Sequence, residues 1–207
     1  MPVNALTCDT DGNGENDGNR LFSREPLLAH VQVCEGGCGG GGAGRDLWII
    51  VVHLKSKSED TKNIPYTLPR RLAQAQFVAG MYAEVLAGEP DAEVIALGDF
   101  NDFYNSQPMG ALTGIGLVNL MQAIPHAQAY TYNFQGVSQV LDYILVSPGL
   151  LASPGMGFFP SIAHLNADYP VVWEGNDTLP RRASDHEPVL LHVVALSPSI
   201  WLPVVNR

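Results

Sequence analysis

The sequence predicts an α/β fold, because three kinds of segment follow one another in a characteristic order. Residues 47–52 and 94–97 are short apolar runs with the β-branched content of buried strands. Between them, residues 70–87 carry apolar side chains at spacings of three and four, which is the period of a helix. A strand, a polar loop, a helix and a second strand in this order form an α/β layer.

The composition limits what the chain can do. Its 207 residues suit one domain, and a hydrophobic content of 46% is enough for a core. The net charge of −10 excludes a generally basic surface for nucleic acid, although a local basic patch or a metal-bridged phosphate stays compatible with it. No apolar run reaches about 18 residues, so we expect no membrane partner. The first residues lack a basic-then-apolar signal pattern.

Residues 1–20 are polar and acidic, and we expect them to form a loop outside the folded domain. Residues 9–17 are similar to the start of a calcium loop. Its early ligand and turn positions are matched by Asp9, Asp11, Asn13 and Gly14. The last position of such a loop should hold a bidentate glutamate, and Arg20 stands there instead. A surface loop is therefore favoured over a Ca²⁺ site.

The chain has three cysteines. A disulfide bond between Cys34 and Cys38 is sterically feasible and would leave Cys8 unpaired. Such a bond and the acidic composition would suit a secreted protein whose signal lies upstream, but the sequence leaves the compartment open.

The first predicted strands form a hairpin. Residues 27–33 alternate between apolar and polar side chains, as a strand does, and residues 36–44 contain seven glycines that we interpret as a long connection. Residues 47–52 are apolar throughout, which predicts a strand buried on both faces and ending at His53. The helix at 70–87 then has one apolar face, made of Leu72, Ala75, Ala79, Tyr82 and Leu86.

The second half of the chain predicts further strands and long loops. A short helix at 108–112 is followed by aromatic–polar alternation at 130–134 and a strand at 140–146. We expect residues 148–183 to be loop, because Gly, Pro, Asn and Asp occur throughout. A last strand is predicted at 189–194, and residues 196–207 form an apolar tail broken by prolines.

The Gly-Asp-Phe-Asn sequence at 98–101 ends the strand at 94–97. In an extended segment Asp99 and Asn101 would point to the same side, because side chains alternate with a period of two. The carboxylate could accept a proton or hold a cation, and the amide could orient a phosphate or a water. A simple turn after a strand is the alternative interpretation of so short a motif.

Other polar side chains also stand at predicted strand ends or within strands: His53, Asp142, Asp185 and His186. Asp142 is the hardest to explain by chance, because an unpaired carboxylate inside an apolar strand is costly. It needs a partner, and a histidine is the natural one.

Five short motifs occur in a fixed order: Ser-Arg-Glu-Pro at 23–26, His-Leu-Lys-Ser at 53–56, Gly-Asp-Phe-Asn at 98–101, Leu-Asp-Tyr at 141–143 and Ser-Asp-His at 184–186. Together they resemble the endonuclease/exonuclease/phosphatase superfamily, which includes pancreatic deoxyribonuclease and abasic-site endonucleases. The resemblance covers about residues 20–195. It implies an α/β sandwich of two packed sheets with outer helices, formed here by residues 21–195.

The resemblance also implies roles for single residues. Arg24, His53 and Asn101 match residues that contact the substrate phosphate. Asp99 and Asn101 match the acid and amide that position the nucleophilic water. Asp185 matches a metal ligand, and Asp99 and Asp185 would bind Mg²⁺ or Mn²⁺. The catalytic group would consist of His53, Asp99, Asn101, Asp142 and His186, with Asp142 pairing with His186.

One part of the superfamily pattern is missing. Its members carry an earlier half with an asparagine on the first strand and a metal-binding glutamate soon after it, and no residue here matches that glutamate. Glu15 lies in a segment rich in glycine and asparagine instead. We therefore expect the chain to correspond to the C-terminal portion of the domain, with an incomplete sandwich.

The resulting hypothesis is a metal-dependent phosphodiester hydrolase, a nuclease of low sequence specificity whose substrate is the DNA or RNA backbone. Two alternatives stay open. One is a phosphatase of the same superfamily that acts on a small phosphoester. The other is a non-catalytic fragment, or one that a partner completes.

Overall fold

The computed structural model describes residues 21–34, 44–61, 63–176 and 178–195. The strands in this part of the chain are β1 (Leu27–Cys34), β2 (Gly44–His53), β3 (Val94–Asp99), β4 (Val118–Asn119), β5 (Tyr132–Phe134), β6 (Val137–Gln139), β7 (Asp142–Val146), β8 (Met156–Ile162) and β9 (Val189–Ala195). The α-helices are α1 (Leu68–Gly88), α2 (Gln107–Thr113) and α3 (Pro148–Leu151). Short 3₁₀ turns occupy Leu120–Ala123, His126–Gln128 and Val171–Trp173.

A mixed five-stranded sheet forms the centre of the protein. Its strands lie in the order β1-β2-β3-β7-β4, with β2 and β3 parallel and the other neighbouring pairs antiparallel. The described residues form two further sheets of two strands each, β5-β6 and β8-β9. The predicted α/β fold is confirmed, and the expected two-sheet sandwich takes the form of one large sheet and two small ones.

The hydrophobic core lies between the five-stranded sheet and the elements that pack on it. Ile50, Val94 and Leu145 of the sheet are buried together with Ala75 and Val78 of α1. The β8-β9 sheet turns one face to the same core through its partly buried residues Phe158, Ile162, Val189 and Leu191. The core therefore joins the helical layer and the smaller sheet to the strands whose ends carry polar side chains.

The burial of α1 and β2 differs from the prediction. On α1, Ala75 and Tyr82 are buried as expected, but Arg71 and Gln74 are also buried, and Leu72 is only half-buried. On β2, Ile50 and Val52 are buried, whereas the side chain of Val51 is 39% exposed. The prediction that β2 is buried on both faces is wrong, because the core covers only one of its faces.

The expectation of loop throughout residues 148–183 is also wrong. This segment contains α3 and the seven-residue strand β8, which pairs along its whole length with β9. Gly157 and Pro160 within β8 are residues that usually weaken a strand, and the pairing with a distant segment outweighs their effect.

Several predictions fall on residues outside the described part of the chain. These are the acidic segment at 1–20, with its Ca²⁺ alternative at 9–17, and the tail at 196–207. Cys34 is disulfide-bonded, but the other two cysteines lie outside the described residues, so the proposed pairing with Cys38 stays a prediction. None of the helices described here combines the length and apolar character needed to cross a membrane.

Candidate active site

The ends of three neighbouring strands bring polar side chains into one row. His53 on β2 is the register partner of Asp99 on β3, and Asp99 is the partner of Asp142 on β7. The parallel strands β2 and β3 both end at this row, and the antiparallel strand β7 begins there. Side chains at paired positions of adjacent strands are close neighbours on one face of a sheet. The sheet therefore collects these three residues at one edge, although 89 positions separate the first from the last.

A strained turn follows β3 and orients its acid and amide. Gly98 has φ of +133°, and a Cβ there would lie 2.0 Å from the carbonyl oxygen of Val52, so only glycine fits. Asn101 has φ of +52°, and its backbone N–H donates to Asp99 Oδ1 at 2.8 Å. The prediction that Asp99 and Asn101 share one extended segment is therefore wrong, because the chain turns between them.

The Asn101 side chain donates its hydrogen bonds to other groups of the protein. Its Nδ2 donates to Asp99 Oδ2 at 2.8 Å and to the carbonyl oxygen of Leu54 at 3.0 Å. Both amide hydrogens are thus used to hold Asp99 and the end of β2 together. Asn101 lines the cleft, but in this arrangement it positions the carboxylate, and its predicted contact with a substrate phosphate stays a prediction.

Asp142 and His186 form a hydrogen-bonded pair. His186 Nδ1 lies 2.7 Å from Asp142 Oδ2, and the imidazole ring packs against Tyr132 at 4.7 Å between centroids. The backbone of His186 also forms an isolated β-bridge with Tyr132. Because Asp142 is buried and its carboxylate accepts a hydrogen bond at Nδ1, the ring presents Nε2 as its other nitrogen.

The side chains of Glu187 and Asn166 hold the segment that carries His186. The buried carboxylate of Glu187 accepts hydrogen bonds from the backbone N–H groups of Leu165, Asn166 and Ala167 at 2.6–3.1 Å. Asn166 Nδ2 in turn donates to the carbonyl oxygen of His186 at 2.7 Å. This network fixes the backbone on both sides of the histidine, so Glu187 has a structural role that the sequence did not suggest.

His53 faces Arg24 and Asp99. Arg24 Nη1 lies 2.8 Å from His53 Nδ1, and His53 Nε2 lies 3.6 Å from Asp99 Oδ2. Since a guanidinium group can only donate, Nδ1 accepts and the proton of the neutral ring lies on Nε2, toward the carboxylate. Arg24 thus lies beside His53, and the phosphate contact that the resemblance implied for both residues stays a prediction.

The environment of the row shifts the pKa values of His53 and His186 in opposite directions. Burial and the positive charges of Arg24 and His186 lower the pKa of His53. Burial alone would also lower the pKa of His186, but its hydrogen bond to Asp142 and the nearby carboxylates outweigh burial and raise it. Burial and the charge of Asp142 raise the pKa of Asp99 to about 6. Groups shifted apart in this way are typical of sites that move protons.

The strand-end residues His53, Asp99 and Asp142 line one cleft of about 780 Å³. Its lining includes every residue that the sequence analysis assigned to the site: Arg24, His53, Asp99, Asn101, Asp142, Asp185 and His186. It also includes residues to which the sequence analysis gave no role in the site, among them Lys57 and Phe103. Lys57 lies only four positions after His53, but a lysine in a polar loop gives no signal that it faces a cleft.

A metal ion could be held at the row, although the protein supplies few ligands there. Ligand atoms of Asp99, Asp142 and His186 all lie within 4.8 Å of one another, whereas Asp185 is exposed and outside this group. Two carboxylates suit a hard divalent cation, but Mg²⁺ requires about six ligands, mainly oxygens. The donor set therefore fits such an ion in part, with water or substrate oxygens needed for the remaining positions.

Comparison with known proteins places the chain in a protein family. A family model described as the Endonuclease/Exonuclease/phosphatase family matches residues 3–186. None of the curated proteins matches the chain.

Solved structures add a comparison of the fold. Beta toxin from Staphylococcus aureus matches with a TM-score of 0.54 and 13% identity, over 80% of this chain and 56% of that protein. Truncated TDP2 from Caenorhabditis elegans matches with a TM-score of 0.51 and 18% identity, over 82% and 61%. A Bacteroides thetaiotaomicron protein of the same family matches with a TM-score of 0.49 and 18% identity, over 81% and 55%. The chain thus spans a little more than half the length of these proteins.

Proposed function

The chain belongs to the endonuclease/exonuclease/phosphatase family, and we propose that it hydrolyses the phosphodiester backbone of nucleic acid. Members of this family are hydrolases that include nucleases, phosphatases and phosphodiesterases. The observation that carries the proposal is the Asp142–His186 hydrogen bond of 2.7 Å, which lies in the same cleft as the Arg24–His53 contact of 2.8 Å. The Asp142–His186 pair can transfer a proton, and the Arg24–His53 pair can stabilise the negative charge of a phosphate.

The residues of the cleft supply what hydrolysis of a phosphodiester requires. Arg24 and His53 donate hydrogen bonds toward the phosphate oxygens, which stabilises their charge. Asp99, with its pKa raised to about 6 and held by Asn101, orients the attacking water. His186 exchanges a proton with the reacting oxygens, and Asp142 holds its ring in place. A divalent cation at Asp99 and Asp142 would neutralise further charge on the phosphate when bound.

Aromatic rings in the cleft favour nucleic acid as the substrate. Phe103 is 48% exposed, and Phe134 is 49% exposed and stacks beside Tyr132 at 6.3 Å. All three rings line the cleft with the phosphate-directed residues. Exposed rings of this kind can stack on bases whatever their sequence. Since the assigned roles concern phosphate or water and none concerns a base edge, we propose low sequence specificity.

A phosphatase of small phosphoesters is the second candidate. The cleft volume of about 780 Å³ favours it, because this is the size of a typical small-molecule site. A non-catalytic fragment is the third, and the small number of metal ligands in the described residues supports it. One assay with several substrates separates the three.

The test is nicking of supercoiled plasmid with Mg²⁺, with and without a chelator, beside hydrolysis of a phosphomonoester and of a phosphodiester chromogenic substrate. We expect nicking and diester hydrolysis that His186→Ala and the chelator both reduce at least about a hundredfold. His126→Ala is the matched control, because His126 is exposed and does not line the cleft. Nicking that survives in His186→Ala would refute the proposal, cleavage of the monoester alone would favour the phosphatase, and no turnover would favour the fragment.

A further inference from the structure

Lys57 has a buried ammonium group with no hydrogen-bond acceptor among the described residues. Its Nζ is shielded from solvent and lies 3.6 Å from the centroid of the Phe103 ring. An ammonium group has three donors, and leaving all of them unpaired inside a protein is costly. The cation–π contact with Phe103 offsets only part of that cost. Lys57 is therefore a cation whose donors are available to a ligand.

The carboxylates near Lys57 are already occupied. Asp102 accepts from Arg71 Nε at 2.8 Å, and Asp60 accepts from Thr67 and from Arg71 Nη2 at 3.3 Å. Their charges act on Lys57, but neither forms an ion pair with it. The oxygens of these carboxylates are thus hydrogen-bonded to Arg71 and Thr67, and Lys57 has no direct ion-pair partner among the described residues.

Lys57 and Phe103 line the same cleft as His53 and Asp99. The charge of Asp99, a member of the row, acts on the Lys57 ammonium together with the charges of Asp102, Arg71 and Asp60. Rotation of the four-carbon side chain can carry the ammonium from the ring to a ligand oxygen. The cleft thus offers a cationic group in addition to Arg24.

We propose that Lys57 binds a second phosphate of the nucleic acid strand, next to the one that is cleaved. This inference rests on the proposed function, since that function places the scissile phosphate at Arg24 and His53. A polynucleotide carries a phosphate at every nucleotide. When one phosphate is bound at the row, the next phosphate of the strand therefore lies farther along the cleft. Lys57 supplies the donors for that phosphate, and Phe103 holds the side chain in reach.

The test compares nucleotides with one phosphate and with two, bound to the full chain in the presence of a chelator. Affinities for thymidine 3′,5′-bisphosphate and for the 3′- and 5′-monophosphates of thymidine are measured by titration calorimetry. We expect wild type to bind the bisphosphate about tenfold more tightly than either monophosphate, as a charged hydrogen bond would give, and Lys57→Met to remove this advantage. Lys57→Arg should retain it.

Lys55→Met is the matched control. Lys55 lies in the same loop, pairs with Glu59 and does not line the cleft, so its replacement should leave the advantage unchanged. A wild type without the advantage, or a folded Lys57→Met that keeps it, would overturn the inference.

A second measurement does not depend on a stable variant. The chain contains three lysines, Lys55, Lys57 and Lys62, so their ε-carbon signals can be resolved by NMR after labelling. The bisphosphate should shift the Lys57 signal more than the monophosphates do, and equal shifts would contradict the inference. Because neither measurement uses turnover, an inactive chain that shows the Lys57-dependent advantage would refute hydrolysis but still show that Lys57 binds a second phosphate in the cleft.

Discussion

Asp142 Oδ2 and His186 Nδ1 meet at 2.7 Å although 44 positions separate the two residues. The contact joins the first residue of β7 to the turn that precedes β9. Each partner would be costly to bury alone, because the carboxylate lacks water and the ring lacks a charge to stabilise its protonated form. The hydrogen bond between them therefore offsets part of the cost of burying both groups.

Replacing Asp142 should change the titration of His186. The hydrogen bond and the charge of Asp142 raise the pKa of His186 against the effect of burial. We expect Asp142→Asn to lower this pKa, so that the imidazolium form is lost at a lower pH than in wild type. Histidine ring signals followed by NMR in a chelator measure it, with His126 as the reference, and an unchanged or higher pKa would contradict the expectation.

The same pair should show strong coupling in catalysis. We expect His186→Ala to reduce turnover about a hundred- to ten-thousandfold, which is the range for a positioned acid or base. Asp142→Ala should cost as much or less, because it acts through His186, and the double variant should be little worse than His186→Ala. Turnover rates of the three variants on plasmid test this, and losses that multiply would show that the two residues act separately.

Arg71 should be one of the most important residues for stability. Its side chain is only 2% exposed and binds Asp102, Asp60, Thr67 and the carbonyl oxygen of Lys55. Arg71→Met leaves the nearly buried Asp102 without its partner, so we expect a loss of about 3–5 kcal/mol in the free energy of unfolding. Urea denaturation measures the loss. The exposed Arg181 provides the control, since Arg181→Met should cost less than about 1 kcal/mol.

Asp60 should make the protein sensitive to acid. Burial alone would raise its pKa, but hydrogen bonds from Thr67 and Arg71 outweigh burial and lower it. A carboxyl group whose pKa is lower in the folded state stabilises that state above its ordinary pKa of 3.8, and the effect disappears as pH falls through the lowered value. Wild type should therefore be more stable than Asp60→Asn at neutral pH, and the difference should shrink below about pH 4. Thermal unfolding across this range measures it, and a difference independent of pH would exclude this role.

The sequence alone could locate the row of polar side chains at the sheet edge but not its detailed arrangement. His53, Asp99 and Asp142 stand next to apolar strands, and strand ends meet at sheet edges, so their proximity could be predicted. The left-handed conformation of Asn101 could not, because an asparagine after a strand is equally compatible with extended backbone. Lys57 was missed for a similar reason, since its burial depends on a ring 46 positions away.

Prediction of the fold from the sequence was limited by interactions between segments that are far apart in the chain. The run at 47–52 shows that a strand forms, but an apolar run does not reveal which of its faces another layer covers. Strand β8 depends on pairing with β9, which begins 27 residues after β8 ends and overrides the local effect of Gly157 and Pro160. Local patterns therefore gave the elements near the site more reliably than the smaller sheets.

The division of the cleft between strand ends and loops has a consequence for its evolution. The row of His53, Asp99 and Asp142 is fixed by sheet register. Any residue other than glycine at position 98 would clash with the neighbouring strand, which restricts substitution next to the row. Lys57 and Phe103 lie on connecting segments, which tolerate substitution far better. Descendants of this gene could thus exchange one ligand preference for another by a few loop mutations, while the row at the sheet edge is inherited unchanged.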